Sequence, residues 1–239
     1  MEKLDFDYKK IEKDYYRKVI RSNNARSRWH LDKFNFVKKL TESDIVGVLD
    51  IGSGPGVFLE FFENDTKLFG YDIAEKQLNA GRIALPEACF TSDLEFLISK
   101  HKQISHIFAI ELIEHIDKEN FNKIMHVVSK IIKLRSELGM NTFLHITTPN
   151  YSSAWPIIEK FVDFVTKMEY GKQHISKFTP KILKSAIIDQ LNVNNVNVKN
   201  IEIGTFMGFT WISKYLVFLD WILIKVLKKG HLCYAKCVF

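Results

Sequence analysis

The stretch VLDIGSGPG, residues 48–56, constrains the fold of this chain more than any other. A short apolar run closes on Asp50 and Ile51, and Gly52, Gly54 and Gly56 then alternate with small residues. A turn so bare of side chains lets a ligand approach the backbone, and N–H groups aimed outward at a helix start favour an anion or carboxylate.

The chain around this turn alternates between two periods. Short apolar runs at 45–51, 68–73, 88–91, 105–110 and 142–147 read as strands. Helical spacing fills the intervals at 57–63, 75–82, 94–99 and 121–134, the last striped by Phe121, Ile124, Val127, Val128, Ile131 and Ile132. Strand and helix in strict alternation predict an α/β, doubly wound, Rossmann-like parallel sheet whose ligands lie beyond the carboxyl ends of its strands. The 239 residues divide as one domain: a helical extension over 1–44, a ligand-binding core over 45–150, a helical insertion over 151–190, and terminal strands with an apolar helix over 191–239. In the insertion, 152–168 and 179–188 read as helices, with Pro180 at a first helical position. Strands are expected at 201–206 and 232–239, pairing antiparallel.

Three ligand classes compete for the turn. A nucleoside triphosphate needs Lys and Ser/Thr after the last glycine, where this chain has Val57 and Phe58. A dinucleotide prefers G-x-G-x-x-G, and the spacing here is G-S-G-P-G. S-adenosylmethionine remains, with its carboxylate and ammonium in place of a pyrophosphate. Asp50 suits the ammonium, Asp72 at the second strand end suits ribose hydroxyls, and Asp93 after the third suits the adenine amino group.

The segments VLDIGSGPG (48–56), GYDIAEKQL (70–78), FTSDLEFL (90–97), IFAIELIEHI (107–116) and HITTPN (145–150) together resemble the class I S-adenosylmethionine-dependent methyltransferases, covering 45–150. The resemblance implies a seven-stranded sheet, mostly parallel with an antiparallel terminal strand. It implies a cofactor pocket lined by Asp50, Gly52, Ser53, Gly54, Gly56, Asp72, Ile73, Asp93, Leu94 and Ile110.

The acceptor end centres on ELIEHI, 111–116. Were a helix to begin there, Glu111, Glu114 and His115 would share one face. For a hydroxyl acceptor the enzyme must position it and remove a proton, which makes His115 the expected base, assisted by His174 and Glu114. EHI here, with HISKFTPKIL at 174–183, resembles the ubiquinone-pathway O-methyltransferases and relatives acting on glycans, lipids or natural products. That implies O-methylation of a small or lipid- or glycan-linked hydroxyl. Glu111, Glu114, His115 and His174 also resemble the metal set of small-RNA 2′-O-methyltransferases, implying Mg²⁺ or a similar divalent ion. TTPNYSS lacks the acid and asparagine that those enzymes carry after T-P-N. An amine acceptor drawn by the carboxylates and a cofactor-binding subunit without turnover stay open.

Composition narrows the surroundings. The net charge of +6 comes from lysines dispersed along the chain, which disfavours a nucleic-acid partner. Three cysteines without a Cys-x-x-Cys pair point to a reducing cytoplasm, and the charged start of the chain offers no apolar signal-peptide core. The stretch 206–227 is long and apolar but carries Lys214, Asp220 and Lys225, so it reads as a helix packed on the domain, with flat contact on a membrane surface as the alternative. Arg26, Arg28, Trp29 and His30 read as surface helix residues, with closure over the cofactor or acceptor as the alternative, and Trp155 as a candidate apolar wall for the acceptor. His30, His101, His106, His126, His145 and His231 show no ligand-like spacing.

Overall fold

The computed structural model describes residues 15–41, 45–62, 65–166 and 170–239. Among them, seven strands form one sheet: β1 (Gly47–Ile51), β2 (Lys67–Tyr71), β3 (Cys89–Thr91), β4 (His106–Ile110), β5 (Phe143–Pro149), β6 (Asn200–Phe206) and β7 (Leu232–Val238). Their order is β3-β2-β1-β4-β5-β7-β6. β1 through β5 pair in parallel, while β7 runs antiparallel to both β5 and β6. The expected mixed sheet is therefore what the chain forms. Strand order reverses between β1 and β4, so their carboxyl ends flank the crevice where such sheets take ligands.

β1 is buried at every position because helices cover both faces, which is why it reads as a continuous apolar run. On one face Leu49, Ile107 and Ile146 pack with Val128 and Ile131 of α4 (Lys118–Glu137) and Leu183 and Ile187 of α7 (Pro180–Val193). On the other, Val48 and Phe108 meet Val37 of α2 (Ala25–Lys39) and Leu78 of α3 (Glu75–Ala84). α1 (Tyr15–Arg21) precedes α2, and the insertion holds α5 (Trp155–Thr166) and α6 (Tyr170–Gln173). Asp117 caps α4 by accepting from the Asn120 N–H at 2.8 Å, and Thr179 caps α7 ahead of Pro180.

Four local expectations change. The helix expected over 57–63 is a single 3₁₀ turn, Leu59–Phe61, within the described residues. Phe58, Phe61 and Phe62 pack in different directions, onto Phe34 and Phe108, and this tertiary demand overrides helical spacing. No helix begins at Glu111: α4 starts seven residues later, and Glu111 itself has a positive φ of 51°. The helix after β3 is a 3₁₀ stretch, Glu95–Gln103. The packed helix expected over 206–227 is instead a turn followed by α8 (Val217–Trp221) and a π turn, Ile222–Val226, with Val217, Phe218, Leu219, Trp221 and Val226 exposed. Residues 1–14 and 42–44 of the N-terminal helical reading, residue 63, and residues 167 and 168 of the insertion's first helix lie outside the described residues.

Candidate active site

The glycine turn sits at the end of β1, beside the end of β2. Gly52, Gly54 and Gly56 all have positive φ. At Gly56 a Cβ would stand 2.5 Å from Cζ of Phe90, so the position excludes a side chain by space as well as by conformation. The turn's amides are less bare than the sequence suggests. Gly52 and Ser53 donate to the Tyr71 carbonyl at 2.8 and 3.0 Å, and Gly56 donates to the Ser53 carbonyl. Gly54 donates to Oδ2 of Asp72 at 2.9 Å. Of these four donors, Gly54 alone has a side-chain acceptor and can be released without moving backbone.

Asp72 thus lies against the turn, its Oδ1 accepting from Ala74 N–H at 2.8 Å. Burial raises its carboxyl pKa, opposed by those backbone hydrogen bonds. Ile73 next to it is 83% exposed, a large apolar side chain left bare at a strand tip. Asp93 is exposed and caps the 3₁₀ stretch by accepting from Glu95 and Phe96 N–H, and Leu94 packs on the core. Ser53 is buried in the turn, and Ile110 ends β4 half-buried. Asp50 is 4% exposed in β1, and burial, with the nearby Asp72 charge, pushes its carboxyl up to about 8.

The N-terminal helices pack over this crevice, so Arg28, Trp29 and His30 follow the alternative of closure while Arg26 stays exposed as a surface residue. Lys33 is buried and pairs with Oε2 of Glu111 at 2.9 Å. Trp29 lies 5.4 Å from the Trp155 ring and 5.2 Å from the Trp211 ring, while Arg28 donates to the Trp211 carbonyl. His30 is held well below its ordinary pKa by burial and by Lys33. Arg17 of α1 donates to the Pro55 carbonyl of the glycine turn at 2.7 Å.

At the tip of β4 the acidic and imidazole groups converge without a helix. Glu111 holds its strained φ with its N–H on the Thr147 carbonyl. Glu114 is fully buried; its Oε2 accepts from the Thr148 hydroxyl at 2.9 Å, and its Oε1 stands 3.9 Å from Nε2 of His115. Burial and the Glu111 charge hold its pKa well above the ordinary carboxylate range. His115 Nδ1 donates to the Gln173 carbonyl at 3.1 Å, so its lone pair is on Nε2, facing Glu114. Burial, reinforced by His174, lowers its pKa to about 4. The His174 ring is 4.8 Å from that of His115, and its Nδ1 meets Oε1 of Glu159 at 2.6 Å, with the Tyr151 hydroxyl 2.8 Å from both atoms. Trp155, 6% exposed, lies 6.5 Å from His174 by ring centroids.

Glu114, His115 and His174 each offer one ligand atom within 4.8 Å of the others. Two ligands about 2.1 Å from a cation stand up to about 4.2 Å apart, so a small inward movement would complete such a site. Oε1 of Glu111 and Oε1 of Glu114 are buried without hydrogen-bond partners among the described residues, which a divalent cation would satisfy. The residues fit an Mg²⁺-like ion.

Sequence reasoning missed Lys33, Tyr151 and Glu159. The one local signal was Glu159, an acid in the otherwise apolar WPIIEKF run.

No protein-family model matches the chain, and no curated protein matches it in sequence. Solved structures do. An S-adenosylmethionine-dependent methyltransferase from Archaeoglobus fulgidus is 16% identical, with 94% of this chain and 98% of that one covered at a TM-score of 0.57. A plantazolicin methyltransferase in complex with SAH is 15% identical over 95% and 86%, at 0.58. A small RNA methyltransferase is 16% identical over 88% of this chain and 25% of its own, at 0.57. At these identities the likeness establishes the fold alone, a Rossmann-like mixed sheet shared with these methyltransferases.

Proposed function

We propose that the chain transfers a methyl group from S-adenosylmethionine to the hydroxyl oxygen of a small or lipid- or glycan-linked acceptor. The observation that carries this reading is the placement of the Asp72 carboxylate on the glycine turn, one strand away from the imidazoles at the tip of β4. The cofactor supplies an electrophilic methyl on a sulfonium. Asp72 is suited to the ribose hydroxyls once Gly54 is released, and Asp50 to the methionyl ammonium. Ile73, Asp93, Leu94 and Ile110 would flank the purine. His115 accepts the hydroxyl proton at Nε2, a role its neutral state at pH 7 permits. His174 is held in one tautomer by Glu159, and Trp29 and Trp155 keep water from the crevice. Calorimetry with S-adenosylhomocysteine, followed by labelled methyl transfer to catechols, polyprenyl phenols and sugars, tests the reading. Absence of cofactor binding overturns it, and binding without transfer to any acceptor turns it into that of a binding subunit.

The buried oxygens of Glu111 and Glu114 that lack partners among the described residues favour a second reading, in which Glu111, Glu114, His115 and His174 would hold a divalent cation; such an ion would supply Lewis acidity toward the acceptor hydroxyl, including the 2′-hydroxyl of an RNA end. Transfer abolished by chelation and restored by Mg²⁺ or Mn²⁺ selects it, and indifference to chelator rejects it. An amine acceptor is separated by Glu114→Gln: loss of transfer with His115→Ala tolerated indicates amine attraction, and the reverse indicates proton removal.

A further inference from the structure

Two segments leave the carboxyl edge of the sheet, where the glycine turn and the tip of β4 lie. α5 follows β5, and the stretch 207–231 follows β6, which runs in the same direction as β5 because both are antiparallel to β7. Trp29 joins their roots by packing on both Trp155 and Trp211.

Each segment inverts the arrangement that water imposes on a helix. On α5, Ile157, Phe161 and Phe164 stand exposed at successive turns of one face, Phe164 by 85%. The acids of the same helix face the protein: Glu159 meets His174, and Asp163 accepts from the Gly171 N–H. In the second segment Val217, Phe218 and Trp221 are exposed, Phe218 by 69%. Its one acid, Asp220, is buried and accepts from the N–H groups of Phe209 and Thr210 and from the Thr210 hydroxyl. A Cβ on Gly208 would fall 2.0 Å from the Asp220 carboxylate, so the backbone is drawn tightly around that acid. The π turn then brings out Val226 and Leu227 among exposed Lys225, Lys228 and Lys229, and Lys160 is exposed on α5.

We propose that this rim is a docking surface for an anionic lipid bilayer. Three acids are turned inward while the lysines are left outward, so the face offered to a partner is apolar and positive. Neither signal alone binds a membrane well, and the two together do. Exposed Trp221, Tyr215 and Phe218 are the aromatic types that settle at the headgroup boundary. No helix among the described residues is long and apolar enough to cross a membrane, so the contact lies in the plane of the surface. The mouth of the crevice then faces the bilayer. That its acceptor is a lipid-linked hydroxyl rests on the methyl-transfer reading above; the docking surface does not.

The test is co-sedimentation of the full chain with vesicles of phosphatidylcholine alone or with phosphatidylglycerol added, alongside Phe218→Ser/Trp221→Ser, Phe161→Ser/Phe164→Ser and Lys225→Glu/Lys229→Glu. Near-ultraviolet circular dichroism confirms that each variant is folded. The expected result is binding to the anionic vesicles that weakens with salt, falls at least about tenfold in the charge-reversed variant, and falls in both serine variants. No binding to anionic vesicles overturns the proposal, as does equal binding to both vesicle types or binding that every folded variant retains. A wild-type dimer in sedimentation velocity that Phe218→Ser/Trp221→Ser converts to monomer also overturns it, because a second copy then covers the face. Calorimetry with S-adenosylhomocysteine separates the two readings: cofactor binding lost with vesicle binding kept sinks only methyl transfer, and the converse sinks only the docking surface.

Discussion

At the scale of single residues, the acids of the crevice are poised by burial. Asp50, raised to about 8, carries a proton at pH 7 in the free protein. An ammonium placed beside it favours the ionised form and lowers that pKa. Cofactor binding at pH 7 is therefore expected to release up to one proton and to tighten as pH rises toward about 8. Titration calorimetry in buffers of different ionisation enthalpy reads this directly, and proton uptake on binding would contradict it. Glu159 gives a second expectation. Glu159→Gln keeps an acceptor for His174 Nδ1 but removes the charge that fixes the ring, so transfer should fall by about 10- to 100-fold with KM little changed. His115→Ala should cost about 10²- to 10⁴-fold in kcat; steady-state kinetics on the two variants give the ranking. Asp50 and Asp72 were legible in the sequence because strand ends recur at fixed intervals from the turn. Lys33 was not: its partner Glu111 lies 78 positions away, and only the packing of α2 over the crevice joins them.

At the scale of elements, caps and glycines are local and were readable, whereas tertiary demand was not. Pro180 at the start of α7 was marked by its own chemistry. The turn at 57–62 was misread because its aromatic contacts, with Phe34 and Phe108, are distant in sequence. The ELIEHI segment was likewise expected to be helical, yet it forms an irregular turn, and its Glu111, Glu114 and His115 meet His174 through folding of the insertion rather than through helical spacing. The Asp117 cap of α4 supplies a simple check. Asp117→Ala removes the hydrogen bond to Asn120 N–H and should cost about 1 kcal/mol, lowering Tm by about 2–4 °C in a chain of this size. A thermal melt with no shift would mean that the cap contributes nothing.

For the whole molecule, acid sensitivity follows from buried imidazoles. His145 of β5 is fully buried, stacks 4.6 Å from the Phe108 ring, and has no hydrogen-bond partner on either ring nitrogen among the described residues. Burial, with His106 and Lys236, holds its pKa well below 6.5, and His30 and His231 are depressed in the same direction. The unfolded chain then binds protons that the folded one refuses, so stability falls as pH drops below about 6.5. Asp50 and Glu114, raised by folding, act oppositely and lose stability as pH rises above the ordinary carboxylate range. His145→Phe should flatten the acid limb, gaining on the wild type by up to about 1.4 kcal/mol per pH unit below 6.5. Urea midpoints measured between pH 5 and 8 decide this, and parallel curves for the two proteins would refute it. The sheet itself was legible from alternation and glycine placement, but which surfaces its insertions cover was not, since that depends on where the exposed side of α5 and α8 points.

Two hydrogen bonds bind the insertion to the candidate site: the Gln173 carbonyl accepts from the His115 ring N–H, and the Ser176 amide donates to the Glu114 carbonyl. The roof and the proposed base are in this sense one part. In the methyl-transfer reading, lifting the 173–176 strip would free the imidazole and part it from its carboxylate neighbour, so a crevice with its roof raised would lack an assembled base to turn stray water against a bound methyl donor.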